Sequence, residues 1–572
     1  MPGLTSPAPE DRFDDVIVGG GSAGCVLAHR LSADPSRRVL LVEAGEDTPP
    51  GEVPEAILDS YPMPLFHGDR YVWPGLTVTA TRGPDGAAVT RGYEQGRVMG
   101  GGSSVNVQSA NRGLPRDYDE WAALGATGWA WDDVLPYFRR LERDIDFDGP
   151  LHGRDGPVPI RRILPERWPP FARAVGRAFE RSGLPHRLDQ NGEFEDGIFP
   201  TAFANLDDRR VSTAAAYLDA PTRRRPNLEI AARSRVIGLT LAGRRAGGVT
   251  LRRDDGSVRT VGAGRVVLAA GALQSPAILM RAGIGPGEHL GRLGVPVVID
   301  LPGVGRNLRD HPALTFAQYL PPALRLPLAA RRAGFVALRY SSGLEGGSAS
   351  DMYATASARA GWHGLGSRLG LYFLWCNRPH SAGALELRSP DPDAYPQVDF
   401  NLLSDARDLA RLAAGVRLLA GLVVAPDLNP NPDDLFPAGF SPRVKRLSAV
   451  SGPNRLLAAV LGRMLDVPAP LRRLALRRLM LRASLAETMA DDQRLEAFVR
   501  QNVFGVWHAS GTCRMGAASD PRAVVDPSGQ VIGTDNVWVA DASVMPRLPA
   551  ANTNVPTIMV AEKISDALLR RP

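Results

Sequence analysis

From residue 13 the chain reads FDDVIVGGGSAGCVLAHRLSA and then RVLLVEAG. The apolar run at 16–18 suits a buried strand, 23–31 carries apolar residues at helical spacing, and 39–42 is apolar throughout. Strand, tight turn, helix and second strand are predicted, a βαβ unit. RVVLAAGALQSPAILMRAGI at 265–284 repeats the pattern, a buried strand running into a helix with Pro276 in its first turn. NVWVADASVMP at 536–546 predicts another strand of the same kind. These elements come from distant parts of the chain, so the unit they build is discontinuous.

The material between them has a different rhythm. ALELRSP and YPQVDF alternate as antiparallel strands do, and LLSDARDLARLAAGVRLLAGL has helical spacing with Asp405 as an early-turn acid. A Pro-rich passage then leads to PLRRLALRRLMLRASLAETM, whose arginines and leucines do not segregate on a helical wheel. It is expected to be a lid or subunit-contact helix rather than a membrane-surface one.

Composition narrows the classes. The chain of 572 residues exceeds one simple core, and 44% hydrophobic with 22% charged residues describes a folded globular protein. A net charge of +6 arises from 67 basic and 61 acidic residues interleaved along the chain. The cations are arginines apart from Lys445 and Lys563, and no nucleic-acid recognition module accompanies them, so no nucleic-acid partner is expected. Cys25, Cys376 and Cys513 lie far apart in apolar or small-residue settings, which fits reduced thiols in the cytoplasm and suggests no metal cluster. The opening MPGLTSPAPEDRFDD has no basic start followed by an apolar run, and no apolar run approaches a membrane span, so neither a secretory signal nor an anchor is expected.

Gly19, Gly21 and Gly24 form GxGxxG directly after the first strand, and Glu43 closes the second. The first glycine permits a tight turn, the second lets main chain approach a pyrophosphate, and the third lets helix pack on strand. The helix N-terminus then faces the phosphates, and Glu43 accepts from a ribose 2′-hydroxyl. A dinucleotide is implied, without saying which.

YEQGRVMGGGSSVNVQSANRG at 93–113, GALQSPAILMRAGIG at 271–285, GVGRNLRDH at 303–311 and GVWHASGTCRMG at 505–516 resemble the glucose-methanol-choline family of FAD-dependent oxidoreductases. The resemblance covers almost the whole chain and is strongest to members that oxidise aryl and furanic alcohols, except over 427–489, which is longer and Arg-rich here. It implies an α/β plus α+β fold: a Rossmann-type FAD-binding domain at 10–155, 210–310 and 505–572, with an antiparallel-sheet substrate-binding domain at 156–209 and 311–504. On the adenosine side it implies FAD contacts from Gly19, Gly21, Ser22, Ala23 and Glu43, with Val236 at the adenine. Arg97, Val98, Gly101, Ser104, Asn106 and Val107 are implied along the pyrophosphate and isoalloxazine, and Asp541 and Ala542 at the ribityl chain. Some members bind flavin covalently through a histidine where Val105 stands here, so non-covalent FAD is expected.

The resemblance pairs His508 with Asn552 of ANTN at the flavin. An alcohol releases hydride readily only as its hydroxyl proton leaves, and a neutral imidazole with a pKa of about 6.5 can take that proton. Asn552 cannot take a proton, but its amide can orient the hydroxyl. Trp507 is expected at the flavin and as an aromatic wall over the substrate, and Cys376 in the same pocket, with packing as the alternative for both. Asn554 is a flavin contact or a turn former, and His311 and His380 are expected to be structural. The implied activity is oxidation of primary alcohols to aldehydes, and on to acids through the hydrated aldehyde, with dioxygen reduced to peroxide. A dehydrogenase using another acceptor, a hydroxynitrile lyase and a flavin photodecarboxylase share the same motifs.

Overall fold

The computed structural model describes residues 11–571 except 67, 84, 328, 430, 440–441 and 480–483. The first ten residues of the N-terminal lead and 480–483 of the Arg-rich stretch therefore lie outside the described residues.

The strand Arg12–Val18 lies between Val39–Val42 and Val258–Leu268 and runs parallel to both. Leu228–Ala231 extends this sheet beyond Val39–Val42, Val537–Val539 pairs with the end of Val258–Leu268, and Arg245–Arg253 and Ser234–Ala242 add an antiparallel flank. Val16, Ile17, Leu40, Leu41, Val266 and Val267 are fully buried, as parallel strands covered by helices must be. The glycines between strand and helix are required by contact. Gly19 has φ +105°, and a Cβ there would lie 2.6 Å from the Ala269 carbonyl oxygen. A Cβ at Gly24 would lie 1.8 Å from the Gly19 carbonyl oxygen, so the helix Ser22–Leu31 approaches its strand only because that atom is missing.

A second sheet orders the strands Leu435–Ala438, Pro312–Tyr319, Leu369–Cys376, Met352–Ser357, Gly334–Tyr340 and Gly197–Pro200, with Phe504–Gly505 against Pro312 and Ala313. Ala384–Glu386 and Gln397–Asp399 pair antiparallel, as the alternation predicts. The helix Ala406–Val423 follows them, and Asp405 is its N-cap, its carboxylate accepting from the Arg407 N–H. In the Arg-rich region, Gly452–Leu465 packs through Ala458 and Leu465 against Ala317, Leu369 and Phe436, and leaves Leu456 and Leu457 exposed. No helix among the described residues is long and apolar enough to cross a membrane.

Two local expectations change. The strand predicted at 536–546 is only Val537–Val539, because the Asp541 carboxylate accepts from the Ser543 N–H and turns the chain into the 3-10 segment Ala542–Val544. The helix expected to carry Pro276 in its first turn begins at Gly271, which places Pro276 in its interior. Proline has no N–H to give the Ala272 carbonyl four residues back. That carbonyl instead accepts from the Thr512 hydroxyl at 2.6 Å, tying the middle of the chain to the GVWHASGT segment.

A buried ionic network lies behind the 108–113 segment. Arg112 pairs with Glu142, and Arg162 with both Asp144 and Asp189. His152 sits between Asp144 at Nδ1, 3.1 Å, and Asp189 at Nε2, 2.8 Å. Burial opposes charge on the ring, but the carboxylates at both nitrogens outweigh it and raise its pKa to about 10.

Candidate active site

Between the first sheet and its helices runs a cleft of about 170 Å³ lined by Gly19, Gly21, Ser22, Ala23, Glu43, Gly101, Val236, Asp541 and Ala542. It shares Ser22, Gly102, Gly271, Ala542 and Thr557 with a cavity of about 330 Å³ lined by Asn106, Val107, Trp507, His508, Asn552 and Asn554. Cleft and cavity are therefore neighbours that share a wall of common residues.

Their walls suit a dinucleotide. The helices Ser22–Leu31 and Asn554–Leu569 both begin there without a side-chain cap, so first-turn N–H groups remain for an anion. A Cβ at Gly102 or Gly271 would meet nothing within 4 Å, so both glycines leave room where the two spaces adjoin. Glu43 accepts from Gly20 N–H at 2.8 Å and Gly45 N–H at 2.7 Å, holding the glycine turn while it faces the cleft. Burial raises its pKa to about 7 against those donors. Asp541 accepts from Gly271 N–H and the Ser275 hydroxyl, and so caps the helix that starts beside it. The chemistry expected of FAD fits these residues.

The side chains of three of the expected cofactor residues are engaged by other parts of the protein. The Arg97 guanidinium stacks over Trp73 and lies 3.3 Å from Asp254. Val98 packs with Ile57, Leu65, Tyr71 and Val105, and the Ser104 hydroxyl donates to the Met99 carbonyl. Gly100 and Gly101, with φ +88° and +52°, turn the chain between Val98 and Ser104. Asn106 does face the cavity and accepts from Arg210 at 2.8 Å, while the Ser22 hydroxyl donates to Asn554 at 2.8 Å.

His508 and Asn552 are brought together, with Asn552 Nδ2 3.1 Å from His508 Nε2. The main chain around the imidazole is held by Asp310, which accepts from the N–H groups of Val506 and His508 at 3.1 Å and from the Tyr93 hydroxyl at 2.6 Å. Trp507, between the two N–H groups, is driven to φ +62°. Such backbone costs about 1–3 kcal/mol and persists only where its surroundings over-determine it. The strained turn presents the Trp507 indole to the cavity, with its Nε1 donating to Glu94 at 3.1 Å. Trp375, Phe373 and Phe504 complete an aromatic wall.

His311 corrects the expectation of a structural histidine without a partner. Its Nδ1 lies 2.8 Å from His508 Nδ1, and its Nε2 lies 3.1 Å from the Asn377 carbonyl and 3.2 Å from that of Pro549. Carbonyls only accept, so the His311 proton sits on Nε2 and its Nδ1 is a lone pair. His508 must then donate from Nδ1, which leaves a lone pair on Nε2 facing the cavity and the Asn552 amide. Burial drives the His508 pKa well below its ordinary value and that of His311 down to about 3. Both rings are neutral. Asp310, His311 and His508 come within reach of one another as metal ligands do, but their polar atoms are engaged in this network. Residues 310 and 311 close the GVGRNLRDH motif, whose adjacent acid and histidine were the available signal.

Cys376 does not line the cavity. On Leu369–Cys376 the alternation puts Leu371, Phe373 and Trp375 inward and sends Cys376 to the opposite face, where its thiol lies 3.6 Å from the Asp408 carbonyl. The His380 ring donates from Nε2 to the Gly346 carbonyl at 2.9 Å, and His380 does not line the cavity.

Family models described as GMC oxidoreductase match residues 13–313 and 379–561. A 5-(hydroxymethyl)furfural oxidase of Methylovorus sp. (strain MP688) is 46% identical over 97% of this chain and 98% of its own. Human mitochondrial choline dehydrogenase is 32% identical over 98% of this chain and 90% of its own. Among solved structures, pyridoxine 4-oxidase from Mesorbium loti superposes with a TM-score of 0.79 at 28% identity, over 98% of this chain and all of that one.

Proposed function

The chain belongs to the GMC oxidoreductase family, and from its FAD-dependent alcohol oxidation we propose a primary-alcohol oxidase with His508 as its base. The substrates are aromatic or furanic alcohols, 5-(hydroxymethyl)furfural among them, and the acceptor is dioxygen. The observation that carries this reading is His508, with Nδ1 against His311 and Nε2 set 3.1 Å from the Asn552 amide within an aromatic-walled cavity.

In this reading the alcohol oxygen sits on the cavity side of the pair, within hydrogen-bond reach of both His508 Nε2 and Asn552 Nδ2. The amide donates to the oxygen and fixes its direction, and Nε2 takes the hydroxyl proton while the carbinol carbon loses hydride. FAD, when bound, supplies the two-electron acceptor for that hydride and the route of the pair to dioxygen. The indole of Trp507 and the ring of Phe373 hold a planar substrate and keep water from the charge that develops. A hydrated aldehyde offers the same base a new hydroxyl, so oxidation continues to the acid.

The site assignments above are part of the proposal, as is the division into an FAD-binding unit at 10–155, 210–310 and 505–572 and a substrate-binding unit at 156–209 and 311–504. Non-covalent attachment is supported by Val105, which stands against the cavity without a nucleophile. A cytoplasmic location is supported by three buried, unbonded cysteines.

The test is anaerobic mixing of the holoenzyme with benzyl alcohol and with 5-(hydroxymethyl)furfural. Bleaching of the oxidised flavin band, followed by peroxide on admission of air, is expected. An unbleached band with both alcohols would overturn the oxidase reading, and cleavage of mandelonitrile to benzaldehyde and cyanide without bleaching would mark lyase chemistry instead.

A further inference from the structure

Arg332 is 7% exposed and lines the same cavity as His508. Its guanidinium lies over the Phe203 ring at 4.6 Å and has no hydrogen-bond or ion-pair partner among the described residues. The adjacent Arg331 is different, since Asp59 receives it at 2.8 Å. A second buried arginine, Arg359, faces the same end of the cavity and donates only to carbonyls, those of Pro327 and Ala330, while its Nε has no partner. No carboxylate lies within ion-pair distance of Arg332 or Arg359 among the described residues.

An unpaired guanidinium is costly to bury, and stacking on one phenyl ring offsets only part of that cost. Burial pulls the Arg332 pKa down to about 10, with Arg161 adding to the fall and the more distant Asp208 and Asp146 opposing it, and it stays far above neutrality. The charge therefore remains, in a cavity, with its planar fork of donors unused. That fork matches a carboxylate, which it binds through two parallel hydrogen bonds.

The sheet gives the distance to the base. Trp375 shares an apolar cluster with Phe504, Val506 and Trp507, at the His508 end. Leu371 is opposite Ser357, and Ser357 is opposite Gly334, two residues after Arg332. From Trp375 to Leu371 is four residues of strand, roughly 13 Å. Strand residues near the arginine and near the base are thus separated by roughly 13 Å along the sheet, with Phe373 between them on the cavity face.

We infer that the cavity takes aryl or furanic alcohols that carry a carboxylate at the end remote from the hydroxyl, with Arg332 receiving that carboxylate. The inference rests on the alcohol-oxidase reading and gives it a substrate class. Neutral alcohols fill the aromatic part only, and acidic ones are anchored at both ends.

The experiment compares 4-(hydroxymethyl)cinnamate with its methyl ester on the holoenzyme, with benzyl alcohol as the unanchored reference. Wild type is expected to favour the acid over the ester by at least about tenfold in kcat/KM, chiefly through KM, the scale of one charge-assisted hydrogen bond. In Arg332→Met the ratio falls to about one, and in Arg332→Lys, which keeps the charge without the fork, it lies between. In parallel, calorimetric titration of oxidised holoenzyme with 4-methylcinnamate, which has no hydroxyl to oxidise, is expected to show the same preference over its ester and the same loss in Arg332→Met. A ratio of one in wild type, or a ratio that survives Arg332→Met, overturns the inference. Failure to oxidise any of the three alcohols would remove the oxidase reading instead, and the calorimetry would still decide whether Arg332 holds a carboxylate.

Discussion

The Nδ1 atoms of His311 and His508 lie 2.8 Å apart, with the two rings perpendicular. One of the two nitrogens must carry the proton, and the carbonyls beneath His311 decide that it is His508's. The tautomer of the proposed base is thus set by main chain on the far side of a second imidazole.

Removing the base is the primary test. His508→Ala is expected to slow anaerobic flavin reduction by at least about a hundredfold, the low end of general-base contributions. Stopped-flow absorbance reads this directly, and a rate within a few-fold of wild type would remove His508 from the mechanism.

His311 acts through its neighbour as a positioning residue. His311→Phe takes away the acceptor at His508 Nδ1, so the base can put its proton on Nε2, and the reduction rate should fall about tenfold to a hundredfold with FAD retained. His311→Gln offers an amide oxygen to His508 and an amide N–H to a carbonyl, and should recover much of the loss. Equal losses in both variants would indicate packing rather than tautomer control.

Asn552→Asp would put a carboxylate 3.1 Å from Nε2. An adjacent negative charge favours the imidazolium, so the His508 pKa rises from its depressed position and the base is occupied by a proton at low pH. The acid limb of the kcat/KM profile should move up by at least about one pH unit. An unmoved limb would place the amide away from the reacting oxygen.

Much of the site was legible in the sequence, for identifiable reasons. Gly19 and Gly24 are dictated by contacts a Cβ would violate, so the glycine turn could be read with its roles. His508 and Asn552 meet as their motifs imply. Cys376 was misplaced because one step of register on a strand reverses the face, and the flanking residues FLWCNRP carry no signal of parity. The role of His311 was missed because it depends on two carbonyls at 377 and 549, contacts that only the folded chain creates. The side-chain partners of Arg97, Val98 and Ser104, namely Trp73, the cluster of Ile57, Leu65 and Tyr71, and the Met99 carbonyl, are likewise contacts that only the folded chain creates.

Glu43 holds the glycine turn through two N–H donors. Glu43→Gln replaces one accepting oxygen with an amide that faces a donor, a mismatch of about 1–3 kcal/mol. The variant should lose flavin on gel filtration, read as the ratio of flavin to protein absorbance. Full retention would separate Glu43 from cofactor binding.

The buried imidazolium of His152 predicts a pH-dependent stability. Its folded pKa, about 10, lies above the unfolded value near 6.5, so its stabilisation is complete below about pH 6.5 and is lost as pH rises through about 10. His152→Gln should destabilise by about 3 kcal/mol at pH 6. Urea midpoints of variant and wild type should converge towards pH 10, and a constant gap would show that the ring is neutral.

The Thr512 hydroxyl on the carbonyl that Pro276 leaves vacant has a consequence for biosynthesis. Translation at roughly 5–20 residues per second delivers residue 276 well before 512, and the helix it interrupts waits with an unmet acceptor until the late segment arrives. The strand Val537–Val539, which completes one side of Val258–Leu268, comes later still. The proposed base His508 and its partner Asn552 also lie far downstream of residue 276, so the two halves of the proposed site come together only after these late segments have been made.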